Sequence, residues 1–98
     1  MLFRSVVMGT DAGNIGTLHG PSVFREMEIM TLAGLTPLQV LRSATSNGSK
    51  AMGMEREIGT LAPGKLADLV ILDADPLADV MNLSRIHRVI KDGKAFAP

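Results

Sequence analysis

Asp11 is the residue of this chain whose type and setting most directly suggest chemistry. It lies in the stretch VVMGTDAG, where a short apolar run ends in a single carboxylate between Gly9 and Gly13. A carboxylate placed at the end of a buried strand can serve as a catalytic acid or base. The same residue in a glycine-rich turn, or at a helix cap, has a purely structural role. From this stretch alone, both interpretations stay open.

The two histidines, His19 and His87, are the other candidate catalytic side chains, and the chain contains no cysteine. His19 lies in a loop at residues 9–20 that holds four glycines and is long enough to be functional. His87 falls in a predicted hairpin, where we expect a surface position. The absence of cysteine excludes thiol catalysis and disulfides. The glycine loop also lacks the spacing of phosphate-binding motifs.

The elements that must position these residues can be predicted from the spacing of apolar residues. Leu2 to Met8 is nearly continuously apolar, which predicts a strand buried on both faces. Pro21 is expected to begin a helix that Gly34 ends, with methionines on its apolar side. These methionines are Met27 and Met30, and we interpret them as core residues or as a surface that packs on a further element.

A second helix is predicted to begin at the sequence TPLQ. Thr36 is the expected N-cap, Pro37 the first helical residue, and Gln39 the second half of a capping box. The expected buried stripe comprises Leu38, Leu41, Ala44 and Thr45. Residues 47–48, Asn-Gly, are predicted to end this helix because a glycine inside it would cost about 1 kcal/mol. A short helix is then predicted over residues 49–54.

After residue 55 the pattern changes to short apolar runs separated by turns. Strands are predicted at 68–72 and 86–91, and Asp92-Gly93 predicts a two-residue hairpin leading to a strand at 94–96. Asp68 is expected to satisfy backbone donors at the beginning of its strand, while Asp73 and Asp75 flank a turn. Three glycines are expected to have positive φ: Gly59, Gly64 and Gly93.

Several motifs, in this order, resemble the C-terminal end of the amidohydrolase superfamily, particularly its imidazolonepropionase-like and prolidase-like members. The motifs are GTDAG at 9–13, HG at 19–20, the Ala-Thr-x-Asn break at 44–47, IGTLAPGKLADLVILDADP at 58–76 and VIKDGKAF at 89–96. The resemblance therefore extends over nearly the whole chain.

This resemblance implies a fold in which a (β/α)8 barrel stands beside a small β-sandwich. Because such a barrel takes about 250 residues, the chain is expected to be an α/β fragment of it. Residues 1–54 would form the last strand and helices of the TIM barrel. Residues 55–98 would form C-terminal strands of the β-sandwich and its final hairpin.

The resemblance also implies metal-dependent hydrolysis of C–N bonds in small amides, cyclic amides or dipeptides. It makes Asp11 a catalytic residue and a ligand of a divalent metal, zinc, and it makes His19 a substrate-binding residue. A catalytic zinc site needs about three protein ligands, which family members draw from earlier strands, including a His-x-His pair that this sequence lacks. We therefore expect the isolated chain to bind no catalytic metal tightly and to be inactive.

The alternative to this reading is a non-catalytic oligomerisation or interaction module, or a subunit of a split enzyme. Ten basic and ten acidic residues cancel, and only three residues are aromatic. This composition points away from nucleic-acid and membrane partners. The expected partners are a small substrate in the intact enzyme, and either further copies of the chain or the missing barrel portion. The expected location is cytoplasmic.

Overall fold

The computed structural model of the 98-residue chain describes residues 6–10 and 21–97. Within these residues, helices come first and an antiparallel sheet follows. The elements are α1 (Pro21–Leu32), α2 (Pro37–Ala44), α3 (Ser46–Ala51), β1 (Leu69–Leu72), a 3₁₀ helix (Val80–Ser84), β2 (Ile86–Lys91) and β3 (Lys94–Phe96). This order of elements confirms the prediction for the part of the chain after residue 20.

Helix α1 ends in a Schellman motif at Gly34, as the sequence predicts. The Gly34 amide donates to the Thr31 carbonyl at 3.1 Å, and the Leu35 amide donates to the Met30 carbonyl at 3.2 Å. Gly34 has a φ of +112°, a conformation that glycine adopts without the Cβ penalty of other residues. Met30 and Leu35 both belong to the hydrophobic core, so this turn also joins two core residues.

The beginning of α2 is the predicted capping box. The Thr36 hydroxyl accepts from the Gln39 amide at 3.2 Å, and the Thr36 amide donates to Gln39 Oε1 at 2.8 Å. The predicted buried stripe is only partly right, however, because Ala44 packs against the core and Leu41 is half-buried. Val40 and Ser43 are the buried residues of α2, whereas Leu38 is 44% exposed and Thr45 is also exposed. The helix turns Val40 towards α1 and the 3₁₀ helix, where the core lies.

The predicted end of α2 at residues 47–48 is also wrong, because the helix ends earlier, at Ala44. Thr45 has φ −125° and ψ −89°, which is outside the helical region, and its amide donates to the Arg42 carbonyl. Asn47 and Gly48 therefore lie inside α3, which covers Ser46–Ala51 rather than the expected 49–54. A Cβ on Gly48 would meet no atom closer than 3.8 Å, so the surrounding atoms do not require a glycine at this position.

The three strands form one antiparallel sheet in the order β1-β2-β3. Val70 pairs with Val89, and Lys91 pairs with Lys94 across the hairpin. The predicted two-residue hairpin at Asp92-Gly93 is confirmed. Both residues have positive φ, +50° at Asp92 and +79° at Gly93, as in a type I′ turn. Gly59 and Gly64 also have the expected positive φ.

The hydrophobic core lies between α1, α2 and the 3₁₀ helix. Its buried residues are Met27, Met30, Leu35, Val40 and Val80. The core interpretation of the two methionines is therefore confirmed. Val6 and Met8 pack against the same cluster from the N-terminal segment.

The predicted strand at Leu2 to Met8 is not seen in the part that the structure describes. Residues 2–5 lie outside the described residues, and residues 6–10 have no strand partner among them. A ladder needs a neighbouring strand, and residues 6–8 contact helices instead. In residues 6–10 and 21–97, no helix has the length and apolar character needed to cross a membrane.

Candidate functional site

Asp11 and His19, the two site residues predicted from the sequence, lie outside the described residues. Their catalytic, metal-binding and substrate-binding roles therefore stay predictions. The structure does describe the two stretches of chain that flank the segment containing them. Residues 6–10 lead directly into Asp11, and α1 begins one residue after Gly20.

The segment 6–10 is attached to the junction between α2 and α3 by two hydrogen bonds. The Met8 amide donates to the Ser43 carbonyl at 3.1 Å, and Asn47 Nδ2 donates to the Val6 carbonyl at 3.1 Å. The sequence predicts Asn47 at the end of a helix and within the Ala-Thr-x-Asn break, but it does not predict this contact. The signal for it was the Ala-Thr-x-Asn motif, which places the asparagine directly after the helix break.

Ser43 is the buried centre of this junction, with 1% of its surface exposed. Its hydroxyl donates to the Val40 carbonyl at 2.6 Å. Its own carbonyl accepts from Met8, which gives a polar group in a buried position the partner it requires. The apolar packing of Val6 and Met8 and these two hydrogen bonds together fix where the segment lies on the helices.

A cleft of about 510 Å³ opens beside Val6, between the N-terminal segment, α2, α3 and the loop after α3. That volume lies within the range of small-molecule sites, about 300–1,000 Å³. Its described lining consists of Val6, Leu35, Gln39, Arg42, Ser46, Asn47, Lys50 and Thr60. This lining includes no carboxylate or imidazole, and its cationic side chains are Arg42 and Lys50. Among the described residues, the cleft therefore lacks the carboxylate and imidazole ligands of a catalytic zinc.

His87 and Asp73 form the one imidazole–carboxylate pair that is recorded in the described part of the chain. His87 Nδ1 lies 3.0 Å from Asp73 Oδ1, and the two side chains are 57% and 60% exposed. The predicted surface position of His87 is confirmed. In residues 6–10 and 21–97, no three His, Cys, Asp or Glu side chains come together. These residues alone therefore do not fit a catalytic zinc site, which needs about three protein ligands.

The carboxylate of Asp68 has the structural role that the sequence predicts. Its Oδ1 accepts from the Asp92 amide at 2.8 Å, and its Oδ2 accepts from Lys91 Nζ at 3.2 Å. The hydrogen bond from the Asp92 amide, followed by that from Lys91, lowers the pKa of this carboxyl below its usual value. Asp75 similarly accepts from the Leu77 amide at 2.9 Å, as expected for a turn aspartate.

Comparison with known proteins gives a family match over almost the whole chain. The family model described as "Amidohydrolase family" matches residues 3–96. The chain is 36% identical over 93 residues to the imidazolonepropionase of Sphingopyxis alaskensis, covering 91% of this chain and 23% of that protein.

Two solved structures are similar in both sequence and fold. Molinate hydrolase superposes with a TM-score of 0.86 at 31% identity, covering 92% of this chain and 23% of that one. A Xaa-Pro dipeptidase with bound methionine in its active site superposes with a TM-score of 0.85 at 33% identity, covering 94% and 22%. The chain thus spans about a quarter of the length of the relatives that it matches.

Proposed function

Because the chain belongs to the amidohydrolase family, we propose that it is the C-terminal part of a metal-dependent hydrolase. The bonds hydrolysed are C–N bonds of small amides, cyclic amides or dipeptides. The observation that supports this most strongly is the family match at residues 3–96, a range that includes Asp11 and His19. The imidazolonepropionase and the Xaa-Pro dipeptidase among its relatives suggest the range of substrates.

The proposed function includes a division of the chain between two parts of a larger fold. Residues 1–54 are proposed as the last strand and helices of the barrel, and residues 55–98 as strands of a small β-sandwich. The apolar segment that leads into Asp11 and is followed by helices supports the first assignment. The antiparallel three-stranded sheet supports the second.

Asp11 is proposed as the catalytic carboxylate and as one ligand of a divalent metal, zinc. The other ligands would come from residues outside this chain, since the described residues do not form such a site. The metal would supply an activated water, and Asp11 would accept and pass on a proton. His19 is proposed to contact the substrate carboxylate or carbonyl.

The proposed partner of these 98 residues is the remaining three-quarters of an amidohydrolase, in the same or a separate chain. Twelve large apolar side chains are exposed in the described residues, among them Val70 and Ile71 of β1. Because successive strand residues point to opposite faces, β1 presents apolar surface on both sides. The alternative partner for this apolar surface is a second copy of the chain, in which case the chain would be an oligomerisation module.

A chimera tests the proposed activity. Residues 3–96 replace the matching segment of the Sphingopyxis alaskensis imidazolonepropionase, and kcat and KM are measured on that enzyme's substrate. We expect activity in the chimera, with a loss of about 10²-fold or more in kcat for Asp11→Asn. His19→Ala should mainly raise KM, as expected for a residue that contacts bound substrate.

The control variant for the chimera is Asp79→Asn, which changes a carboxylate that accepts from the Met81 amide in the 3₁₀ helix. This variant should keep kcat within a factor of about three, because Asp79 is far along the chain from the proposed site and serves as a cap. A folded chimera in which Asp11→Asn is as active as the parent would refute the catalytic role of Asp11.

A further inference from the structure

The hydrogen bonds made by Val6 and Met8 have the pattern of pairing between parallel strands. In an extended chain, the carbonyl of one residue and the amide of the second residue after it point to the same side. A neighbouring parallel strand engages this pair with the amide and the carbonyl of one residue. Here the Asn47 side-chain amide donates to the Val6 carbonyl, and the Met8 amide donates to the Ser43 carbonyl.

The break between α2 and α3 is what makes both partners available. In an unbroken helix the Ser43 carbonyl would accept from the amide four residues later. Because α2 ends at Ala44 and Thr45 leaves helical geometry, that carbonyl is one of the free groups at a helix end. It accepts from Met8 instead, and the second residue of α3, Asn47, directs its amide towards Val6.

We propose that Asn47 is a positioning residue that acts, with the Ser43 carbonyl, as a substitute for a neighbouring strand. The pair fixes the register of residues 6–8 on the helices and so sets the point from which the chain continues towards Asp11. Met8 precedes Asp11 by three residues, a distance of at most about 11 Å along an extended chain. The catalytic importance of this positioning rests on the proposed function of Asp11, whereas the register itself does not.

In this arrangement, one edge of residues 6–8 contacts α2 and α3. At residues 6–8, a neighbouring strand must then use the opposite edge, through the amide and carbonyl of Val7. In a closed barrel, where the last strand has a neighbour on each side, the second neighbour would pair outside residues 6–8. The side chain of Val7 is exposed in the described structure, while Val6 and Met8 contact the core. Removing the Asn47 donor therefore keeps the apolar packing of residues 6–8 but removes one of the two hydrogen bonds that set their register.

The test uses Asn47→Asp, which keeps the shape of the side chain but replaces the donor with a carboxylate oxygen that repels the Val6 carbonyl. Asn82→Asp is the matched control, because Asn82 Nδ2 donates to the Asp75 carbonyl at 2.9 Å and both asparagines are half-buried. Amide hydrogen exchange and backbone chemical shifts are measured by NMR on the isolated chain. The free energy of unfolding is measured on the same samples.

We expect Asn47→Asp to accelerate exchange of the Met8 amide at least 10-fold and to shift the signals of residues 9–13. Asn82→Asp should change neither, even if both variants lose similar global stability. Unchanged Met8 exchange and unchanged signals in Asn47→Asp would overturn the proposal. If Asn47→Asp does not fold, Asn47→Ala decides by the same two readouts, because it removes the donor without adding a charge.

A second readout separates positioning from simple stabilisation. In the chimera described above, Asn47→Asp should lower kcat at least 10-fold with KM changed less than threefold, while Asn82→Asp leaves both unchanged. Asn47→Asp could produce the NMR changes without lowering kcat, while Asp11→Asn does lower kcat. That result would show that the proposed register does not position Asp11. If Asp11→Asn itself has no effect, the proposed function fails and the NMR result on the register still stands.

Discussion

Asp68 shows how a single carboxylate can join distant parts of this chain. It precedes β1, and it accepts hydrogen bonds from Lys91 and Asp92 at the β2–β3 hairpin. The Gly93 amide adds a bond of 3.0 Å to the Ala67 carbonyl. The hairpin turn is thus attached to the beginning of the first strand by three hydrogen bonds, two of which depend on the Asp68 side chain.

These bonds predict a loss of stability in acid. The pKa of Asp68 is lower in the folded chain than the usual 3.8, so folding favours its charged form. Its contribution is therefore complete above pH 3.8 and is lost as the pH falls through that value and then through the folded pKa. Asp68→Asn should flatten the fall in the free energy of unfolding between neutral and acid pH.

The measurement for Asp68 is urea unfolding of the parent and of Asp68→Asn over that pH range. Glu55→Gln, which changes an exposed carboxylate, is the control and should follow the parent curve. Parallel pH curves for the parent and Asp68→Asn would show that this carboxylate is not linked to folding.

Gly59 is predicted to be the most sensitive glycine of the described loop after α3. It has a φ of +100°, and an added Cβ would lie 2.3 Å from Ser49 Oγ and 2.7 Å from Ser49 Cβ. Gly64 has a similar φ of +87°, but nothing lies within 4 Å of the position of its Cβ. The two glycines therefore share the backbone requirement and differ only in crowding.

We expect Gly64→Ala to lower the free energy of unfolding by about 1–2 kcal/mol, the cost of a left-handed conformation. Gly59→Ala should lose about 1–3 kcal/mol more, because the new methyl overpacks against the buried Ser49. Chemical denaturation of both variants measures the difference. Equal losses would mean that the loop moves away from α3 without cost.

At the scale of elements, the sequence predicts the helix ends and turns that are determined by residues close together in the chain. The capping box at Thr36, the end of α1 at Gly34 and the Asp92-Gly93 hairpin each depend on residues close together in the chain. The glycine rule misplaces the end of α2 at 47–48, whereas the Ala-Thr-x-Asn break of the family resemblance places it correctly, at 44–47. The contact made at this break is not local. The Ser43 carbonyl finds its partner in Met8, more than thirty residues earlier, and no spacing rule within the helix reveals this contact.

The edge strand β1 carries a prediction of its own. In the described sheet, β1 pairs only with β2, and its residues Leu69–Leu72 are all apolar. An apolar edge strand favours pairing with another chain. We therefore expect the isolated chain to self-associate, and Val70→Lys, at a residue that is 51% exposed, to shift it towards monomer.

Analytical ultracentrifugation over a range of concentrations measures this association. Leu61→Lys is the control, since Leu61 is 83% exposed and lies outside the helices and strands. It removes a comparable apolar side chain and should leave the association unchanged. Equal effects of the two substitutions would indicate general hydrophobic association instead of pairing at the β1 edge.

At the scale of the whole molecule, the candidate site could be predicted only through the family resemblance. The residues alone leave Asp11 open between turn and catalyst, because a single carboxylate between glycines fits both roles. In residues 6–10 and 21–97, no three metal-ligating side chains come together to distinguish these roles. The proposed missing barrel portion would also account for the exposed apolar surface. Five large apolar residues are buried in the described core, whereas twelve are exposed, which fits a chain that spans about a quarter of its relatives' length.

The most direct test of the proposed shared site is the metal content of this chain with and without the rest of an amidohydrolase. The chain is purified alone, and also together with the Sphingopyxis alaskensis imidazolonepropionase lacking the segment that this chain matches. Divalent metals are then measured by mass spectrometry in each sample. We predict no retained metal in the chain alone and stoichiometric metal in the complex, reduced by Asp11→Asn. Stoichiometric metal with amide hydrolysis in the isolated chain would contradict the account, as would a stable complex whose metal content is the same with Asp11→Asn.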